Sequence, residues 1–283
     1  MATYLSQPDF DKLVRDAIHE YRLIQIESEF REFLKLVHDL KPRTIVEIGT
    51  ASGASLWAMG QVCEPATLLI ALDLPFAEGP LEKGPFVKSM WSPRRVKRLN
   101  RVVLDVRFSQ DGQTYHRVLG DSHERETRRL VEAIMVQHRR DSIDLLFIDG
   151  DHSYEGAKAD YELFKSLVRP GGVIAFHDIV SEIKTNIPSE VPRLWSELVA
   201  DATLNARAIK DESDTPYFGN PARLHMGIGV VTRPEGAKVE GIALDGMGTL
   251  PWRLYRAGHL IRISFAYLLH AIGGLAKRLL RGT

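Results

Sequence analysis

The chain has 283 residues, 44% of them hydrophobic and 26% charged, enough for one sizeable α/β core with appendages. Lysine plus arginine and aspartate plus glutamate both number 37, so no net field argues for a nucleic-acid or strongly acidic partner. The single cysteine, Cys63, excludes an internal disulfide and a multi-cysteine metal site, and it fits a reducing cytoplasm. The opening MATYLSQPDFDKL lacks the apolar stretch of a secretory signal, and no run of 18 uninterrupted apolar residues offers a membrane-spanning helix.

Residues 9–40 read as helical: Phe10, Leu13, Val14, Ala17 and Ile18 recur at helix spacing, as do Phe30, Phe33, Leu34 and Val37, and Pro42 closes the region. Thr44–Ile48 is a short β-branched run ending at Gly49, the pattern of a buried parallel strand. A helix to about Cys63 follows, then a second strand over Thr67–Leu72 that ends at Asp73. Residues 75–114 form a long connection rich in proline, glycine and basic residues; within 82–101 seven Lys/Arg face the single acid Glu82. It reads either as a solvated loop or as a substrate lid, with Phe86 and Trp91 covering an acceptor and the arginines holding an anionic one. Further strands are expected over Tyr115–Leu119, Ile143–Ile148 and Gly172–Phe176, with helical segments over Glu124–Gln137 and Glu155–Val168 between them. Strands alternating with helices predict a parallel, doubly wound sheet, in which ligands bind beyond the carboxyl ends of the strands. Those ends carry Glu47/Gly49, Asp73, Asp121, Asp149 and His177-Asp178.

Val46–Gly53 reads as a strand, a glycine-bearing turn (Gly49, Thr50, Ala51, Ser52, Gly53) and a helix start. Gly49 and Gly53 let the backbone pass where a Cβ would collide with a ligand, and the helix N-terminus offers free N–H groups. The G-x-x-x-G spacing with Glu47 two residues ahead differs from the dinucleotide fingerprint. A carboxylate there can hold an ammonium group, which dinucleotides lack and methionine-derived cofactors have. Asp73, 26 residues after Glu47, is placed to accept from ribose hydroxyls. Asp121, in Leu119-Gly120-Asp121-Ser122, could meet an adenine edge, or N-cap a helix starting near His123.

In Asp144–Asp178, Asp149 and Asp151 lie just past a buried strand and are followed at once by His152. The turn Arg169-Pro170-Gly171-Gly172 leads into a strand ending at His177-Asp178. Adjacent parallel strands would bring Asp149 close to His177 and Asp178, where oxygen and nitrogen donors could bind Mg²⁺ or Mn²⁺. Polar residues that cap buried strands without a metal are the other reading of the same pattern.

The segments VEIGTASGAS, ALD, LGDS, LLFIDGDHSYEGAKADYELFKSLVRPGGVIAFHDI and VPRLWSEL resemble the class I S-adenosylmethionine-dependent methyltransferases grouped as cephalosporin hydroxylase-like and macrocin O-methyltransferase-like proteins, over about residues 24–232. The resemblance implies a Rossmann-like, doubly wound, mostly parallel seven-stranded sheet. It divides the chain into N-terminal helices over 1–43, a methyltransferase domain over 44–232, and a C-terminal appendage over 233–283. It places Glu47, Gly49, Thr50, Ser52 and Gly53 around the methionine part of S-adenosylmethionine, Asp73 on its ribose and Asp121-Ser122 near its adenine. In metal-dependent relatives the first metal carboxylate matches Asp149 and an acidic pair matches His177-Asp178; this chain departs by having histidine at 177. His152, three residues after Asp149, matches a catalytic base, and an unperturbed imidazole suits that task near neutrality. A structural hydrogen bond to a strand-end carboxylate is the alternative for His152.

The implied activity is O-methylation of a hydroxyl on a sugar or other small metabolite, with or without a divalent cation; the rival is a non-catalytic cofactor-binding or assembly protein. No amine-methylating N/D-P-P-Y motif appears, so no nucleic-acid partner is expected. After Asp245 the chain has no acid, and Ile261, Phe265, Leu268, Ile272, Leu275 and Leu279 share one helix face. Arg253, Arg256, Arg262, Lys277, Arg278 and Arg281 project from the other side. Residues 251–281 could therefore pack on this domain or on a second copy of the chain, or lie on the inner face of a membrane. The expected location is the cytoplasm, with or without that peripheral contact.

Overall fold

In place of one helical region before Pro42, two helices form: α1, Phe10–Tyr21, and α2, Glu27–Leu40. The carboxylate of Asp9 caps α1 by accepting the Lys12 N–H at 2.9 Å. Arg22 then turns left-handed, with φ 65°, and the Leu23 N–H closes back on the Ala17 carbonyl. The apolar spacing continues on both sides of this break, and no glycine or proline marks it.

This architecture comes from a computed structural model, which describes residues 8–74, 113–180, 189–211 and 226–240. The expected lid with Phe86 and Trp91 and the amphipathic stretch over 251–281 lie outside the described residues. Among the described residues, seven strands form one sheet in the order β3-β2-β1-β4-β5-β7-β6. They are β1 (Thr44–Ile48), β2 (Leu68–Asp73), β3 (Thr114–Leu119), β4 (Ile143–Ile148), β5 (Val168–His177), β6 (Asn205–Ile209) and β7 (Ile228–Thr232). The first five are parallel, and β7 runs antiparallel to β5 and β6. Between them stand α3 (Ala54–Gln61), α4 (Arg125–Gln137), α5 (Tyr154–Phe164) and α6 (Val191–Ala200).

Both faces of the sheet are covered, which explains the continuous apolar runs of β1 and β4, buried at every residue. Alternation of side chains sends Ile45, Leu69, Leu145 and Phe147 to one face, against Phe30, Phe33, Leu56 and Trp57 from α2 and α3. Val46, Ile70, Leu146 and Ile148 face the other way, onto Leu130, Ile134, Phe164 and Leu194 of α4, α5 and α6.

One expected turn is part of a strand instead. β5 already pairs at Val168 with Ile143, and pairing resumes at Val173 with Leu145, so Arg169-Pro170-Gly171-Gly172 is an irregularity carried within β5. The order of strands reverses between β1 and β4, which opens the crevice beyond their carboxyl ends. No helix among the described residues is long and apolar enough to cross a membrane.

Candidate active site

The loop between β1 and α3 is strongly bent: Gly49, Ala51 and Gly53 have φ of 85°, 46° and 86°. A Cβ at Gly49 would stand 2.1 Å from the Asp149 carbonyl oxygen, so glycine is imposed there by the neighbouring strand end as well as by φ. Glu47 is fully buried; one carboxylate oxygen accepts from the Ser55 hydroxyl, and Oε2 has no partner. Burial pushes its pKa up to about 8, against the pull of Ser55. Thr50 and Ser52 are buried in the same loop, and Ser52 Oγ faces the Ala54 N–H at 3.4 Å. Asp73, at the end of β2, accepts the Ala51 N–H at 2.8 Å and the Leu74 N–H at 2.7 Å. Burial raises its pKa, and those two N–H groups offset part of the rise.

Past β3 the chain turns through Gly120 and Asp121 before α4. The Asp121 carboxylate accepts the His123 N–H at 2.9 Å, capping this turn; the N-cap of α4 is Glu124, without a side-chain bond. Asp121 is half exposed, at 51% of its side chain, and so is open to a ligand.

The ends of β4 and β5 bring together the residues expected there. His177 Nδ1 lies 3.1 Å from Asp149 Oδ1 and 3.5 Å from Asp178 Oδ1. His152 Nδ1 lies 2.7 Å from Asp178 Oδ2, and its Nε2 is 3.6 Å from Asp149 Oδ1. Two imidazoles thus alternate with two carboxylates. Burial pulls the His177 pKa down, but Asp149 and Asp178 outweigh it and raise it to about 9. In His152 the same contest, with the Asp178 hydrogen bond as the main opposing cause, leaves the pKa above its ordinary value. Burial pushes Asp178 up, and His177 and His152 bring it below the usual carboxylate range. The His152 side chain is one-third exposed, the His177 ring only 5%, and His177 Nε2 is buried without a partner.

Three contributors escaped the sequence reading. Gln25, buried between α1 and α2, donates from Nε2 to Asp149 Oδ2 at 3.0 Å. Glu29 is buried on α2 and accepts the N–H groups of Asp211 and Gly227, each at 2.9 Å. Asp160 of α5 is buried beside the turn after β3, with its Oδ1 3.5 Å from His123 Nε2. Ser55, the partner of Glu47, was signalled only by its place in the first turn of α3.

A protein family described as a methyltransferase domain matches residues 46–179. A curated relative, the uncharacterized protein y4gI of Sinorhizobium fredii, is 29% identical over 171 residues, covering 58% of this chain and 16% of that much longer protein. Among solved structures, the chain is similar to the O-methyltransferase TomG of Streptomyces achromogenes, involved in tomaymycin synthesis and held in complex with SAM. That likeness has a TM-score of 0.51 at 14% identity, over 81% of this chain and 92% of TomG. Cofactor-bound Rv0187 from MTB is similar with a TM-score of 0.52 at 18% identity, over 83% and 94% of the two chains. At these identities the likeness is one of fold.

Proposed function

We propose that the chain is a class I S-adenosylmethionine-dependent methyltransferase that methylates a hydroxyl oxygen of a small molecule, a sugar or another hydroxylated metabolite, a reading supported by the methyltransferase-domain match over residues 46–179 and by the seven-stranded sheet. The observation that carries this reading is His152: an imidazole oriented by Asp178 at 2.7 Å and one-third exposed at the strand ends. A hydroxyl must lose its proton as its oxygen forms a bond to carbon, so a positioned base favours an oxygen acceptor over an amine, whose lone pair is already free. With Nδ1–H donated to Asp178, the neutral ring keeps its Nε2 lone pair for that proton. Asp178 then stabilises the imidazolium, in the way a carboxylate orients a catalytic histidine elsewhere.

The β1 and β2 ends fit the cofactor. Glu47 Oε2 is a buried acceptor without a donor, suited to the ammonium of the methionine part. Asp73 keeps lone pairs for ribose hydroxyls, and Asp121 and Ser122 stand at the adenine end. When bound, the cofactor would supply an electrophilic methyl group on a sulfonium, with a thioether as its leaving group. The protein's share is alignment and proton removal.

A hard divalent cation fits less well. Among the described residues no three His, Cys, Asp or Glu side chains are grouped to hold one. Asp149, His177 and Asp178 instead pair with one another, the His177 ring lying between the two carboxylates. We therefore assign proton removal to His152 alone. The reaction belongs among the soluble hydroxylated metabolites of the cytoplasm.

Calorimetry with S-adenosylhomocysteine should give a micromolar Kd, about −8 kcal/mol, and Asp73→Ala should weaken it at least tenfold. Incubating the protein with methyl-labelled cofactor and a cell metabolite extract should label a hydroxylated product by mass spectrometry, at a rate indifferent to EDTA. Restoration of a chelator-inhibited rate by Mg²⁺ or Mn²⁺ would return Asp149, His177 and Asp178 to the role of metal ligands. Binding of the homocysteine product with no label transferred to any metabolite would favour a non-catalytic cofactor-binding protein.

A further inference from the structure

Asp160 is poorly suited to a purely structural role. Its side chain is 0% exposed, and neither carboxylate oxygen has a hydrogen-bond partner within normal distance. The groups that face it are the Ser122 hydroxyl and the His123 ring, whose Nε2 lies 3.5 Å from Oδ1. Across the crevice stands Gly150, where a Cβ would lie 3.5 Å from Oδ2. Burial pushes the pKa of Asp160 up to about 6, against Ser122 and His123. A buried carboxyl whose facing partners stand too far for good hydrogen bonds costs a fold stability, and an apolar side chain would serve the contact between α5 and β4 better. Such departures from good packing chemistry cluster where a ligand supplies what is missing.

The geometry shows what that ligand would order. His123 sits between two carboxylates: Nε2 faces Asp160, and Nδ1 lies 3.6 Å from Asp121 Oδ1. Asp121 in turn accepts the His123 N–H. The turn after β3 is therefore tethered on its inner side to α5, and its outer side carries the half-exposed Asp121. Resting on the methyl-transfer reading, we propose that Asp160 is a positioning residue for the nucleobase end of the cofactor site. Binding of the nucleoside draws the Ser122 hydroxyl and the His123 ring onto the Asp160 carboxylate, and the closed turn holds the Asp121 carboxylate against the exocyclic amino group of adenine. Asp160 acts through these neighbours and need not touch the cofactor.

The test is calorimetry of the full chain and its variants with S-adenosylhomocysteine and with S-inosylhomocysteine, in which a carbonyl replaces the adenine amino group, alongside thermal unfolding. Asp160→Ala should weaken S-adenosylhomocysteine tenfold or more and bring its preference over the inosyl analogue towards one. Its unfolding midpoint should equal or exceed that of the parent chain, because a buried carboxyl without a close hydrogen-bond partner has gone. Asp160→Asn, which keeps an acceptor oxygen, should recover most of the affinity, and Asp160→Ala combined with Ser122→Ala should bind no worse than Asp160→Ala alone. Parental affinity and preference in Asp160→Ala would overturn the proposal. So would a lowered midpoint with both ligands weakened equally, the signature of a structural residue. If the parent chain binds neither ligand, the methyl-transfer reading itself fails and the proposal with it, an outcome distinct from the other two.

Discussion

The two halves of the strand-end crevice solve the problem of buried charge in opposite ways. At the ends of β4 and β5, Asp149 and Asp178 meet His177 and His152, and each carboxylate has an imidazole within 3.1 Å. At the ends of β1 and β2, Glu47 and Asp73 are bonded only by a hydroxyl and by backbone N–H groups. The pKa directions follow: Asp178 is lowered, Glu47 and Asp73 are raised. The first half pairs its carboxylates with imidazoles from its own side chains. The second holds carboxyl groups that burial keeps towards their protonated forms, and a cationic ligand would favour their ionisation; on the proposed reading that ligand is the ammonium of the methionine part.

The largest expected effect breaks the self-sufficient half. His152→Ala should lower turnover by about 10²–10⁴-fold while leaving S-adenosylhomocysteine affinity within a few-fold; a rate close to the parent's would make His152 a structural residue and blur the contrast. Gly49→Ala strikes where the halves touch, since its Cβ would meet the Asp149 carbonyl oxygen at 2.1 Å with φ at 85°. A loss of about 3 kcal/mol or more is expected in denaturant unfolding; a loss under about 1 kcal/mol would mean that the β1 and β4 ends move apart easily.

Glu47→Gln sharpens the comparison from the other side. The folded pKa of Glu47, about 8, is above its ordinary 4.5, so the folded state holds the extra proton between those values. Stability therefore falls as pH rises through that window, and the loss is complete above about 8. The variant should match the parent near pH 4 and exceed it by several kcal/mol, on the order of 5, near pH 9, read from thermal or urea unfolding at each pH. Parallel stability curves for the two proteins would place Glu47 in contact with an unnoticed cation. The smallest signal is a proton: at pH 7 S-adenosylhomocysteine should release up to about one on binding, as its ammonium ionises Glu47. Calorimetry in buffers of different ionisation enthalpy reads it, and Glu47→Gln should abolish it.

Much of this was legible because buried parallel strands write themselves as unbroken apolar runs. Thr44–Ile48 and Ile143–Ile148 are examples, and the pairing of β4 with β5 followed from their order. Convergence of Asp149, His152, His177 and Asp178 was then a consequence of register. What stayed hidden has physical reasons. β6 is an edge strand with three of its five residues exposed, so it has no apolar run to show. The break at Arg22 leaves helical spacing intact on either side. Gln25 reaches Asp149 across 124 positions, and no local pattern records such a contact. Asp160 looks like a solvated helix residue until packing buries it, and Gly49, expected to make room for a ligand, also makes room for Asp149. The cation-binding expectation rested on proximity, which is present, and His177 lies between the two carboxylates.

Glu29 has a consequence for how this fold could diversify. By accepting the N–H groups of Asp211 and Gly227, a single buried carboxylate on α2 fixes both points where the chain leaves and rejoins the sheet between β6 and β7. A connection held between two such anchors tolerates change in length, since doubling the length of a flexible loop costs only about 0.6 kcal/mol in closure entropy. The anchors themselves belong to the core, so replacement segments inherit fixed end points beside His177 without any change to the strands. Sequence change between the anchors can therefore accumulate while the strand ends that carry His177 and Asp178 stay as they are.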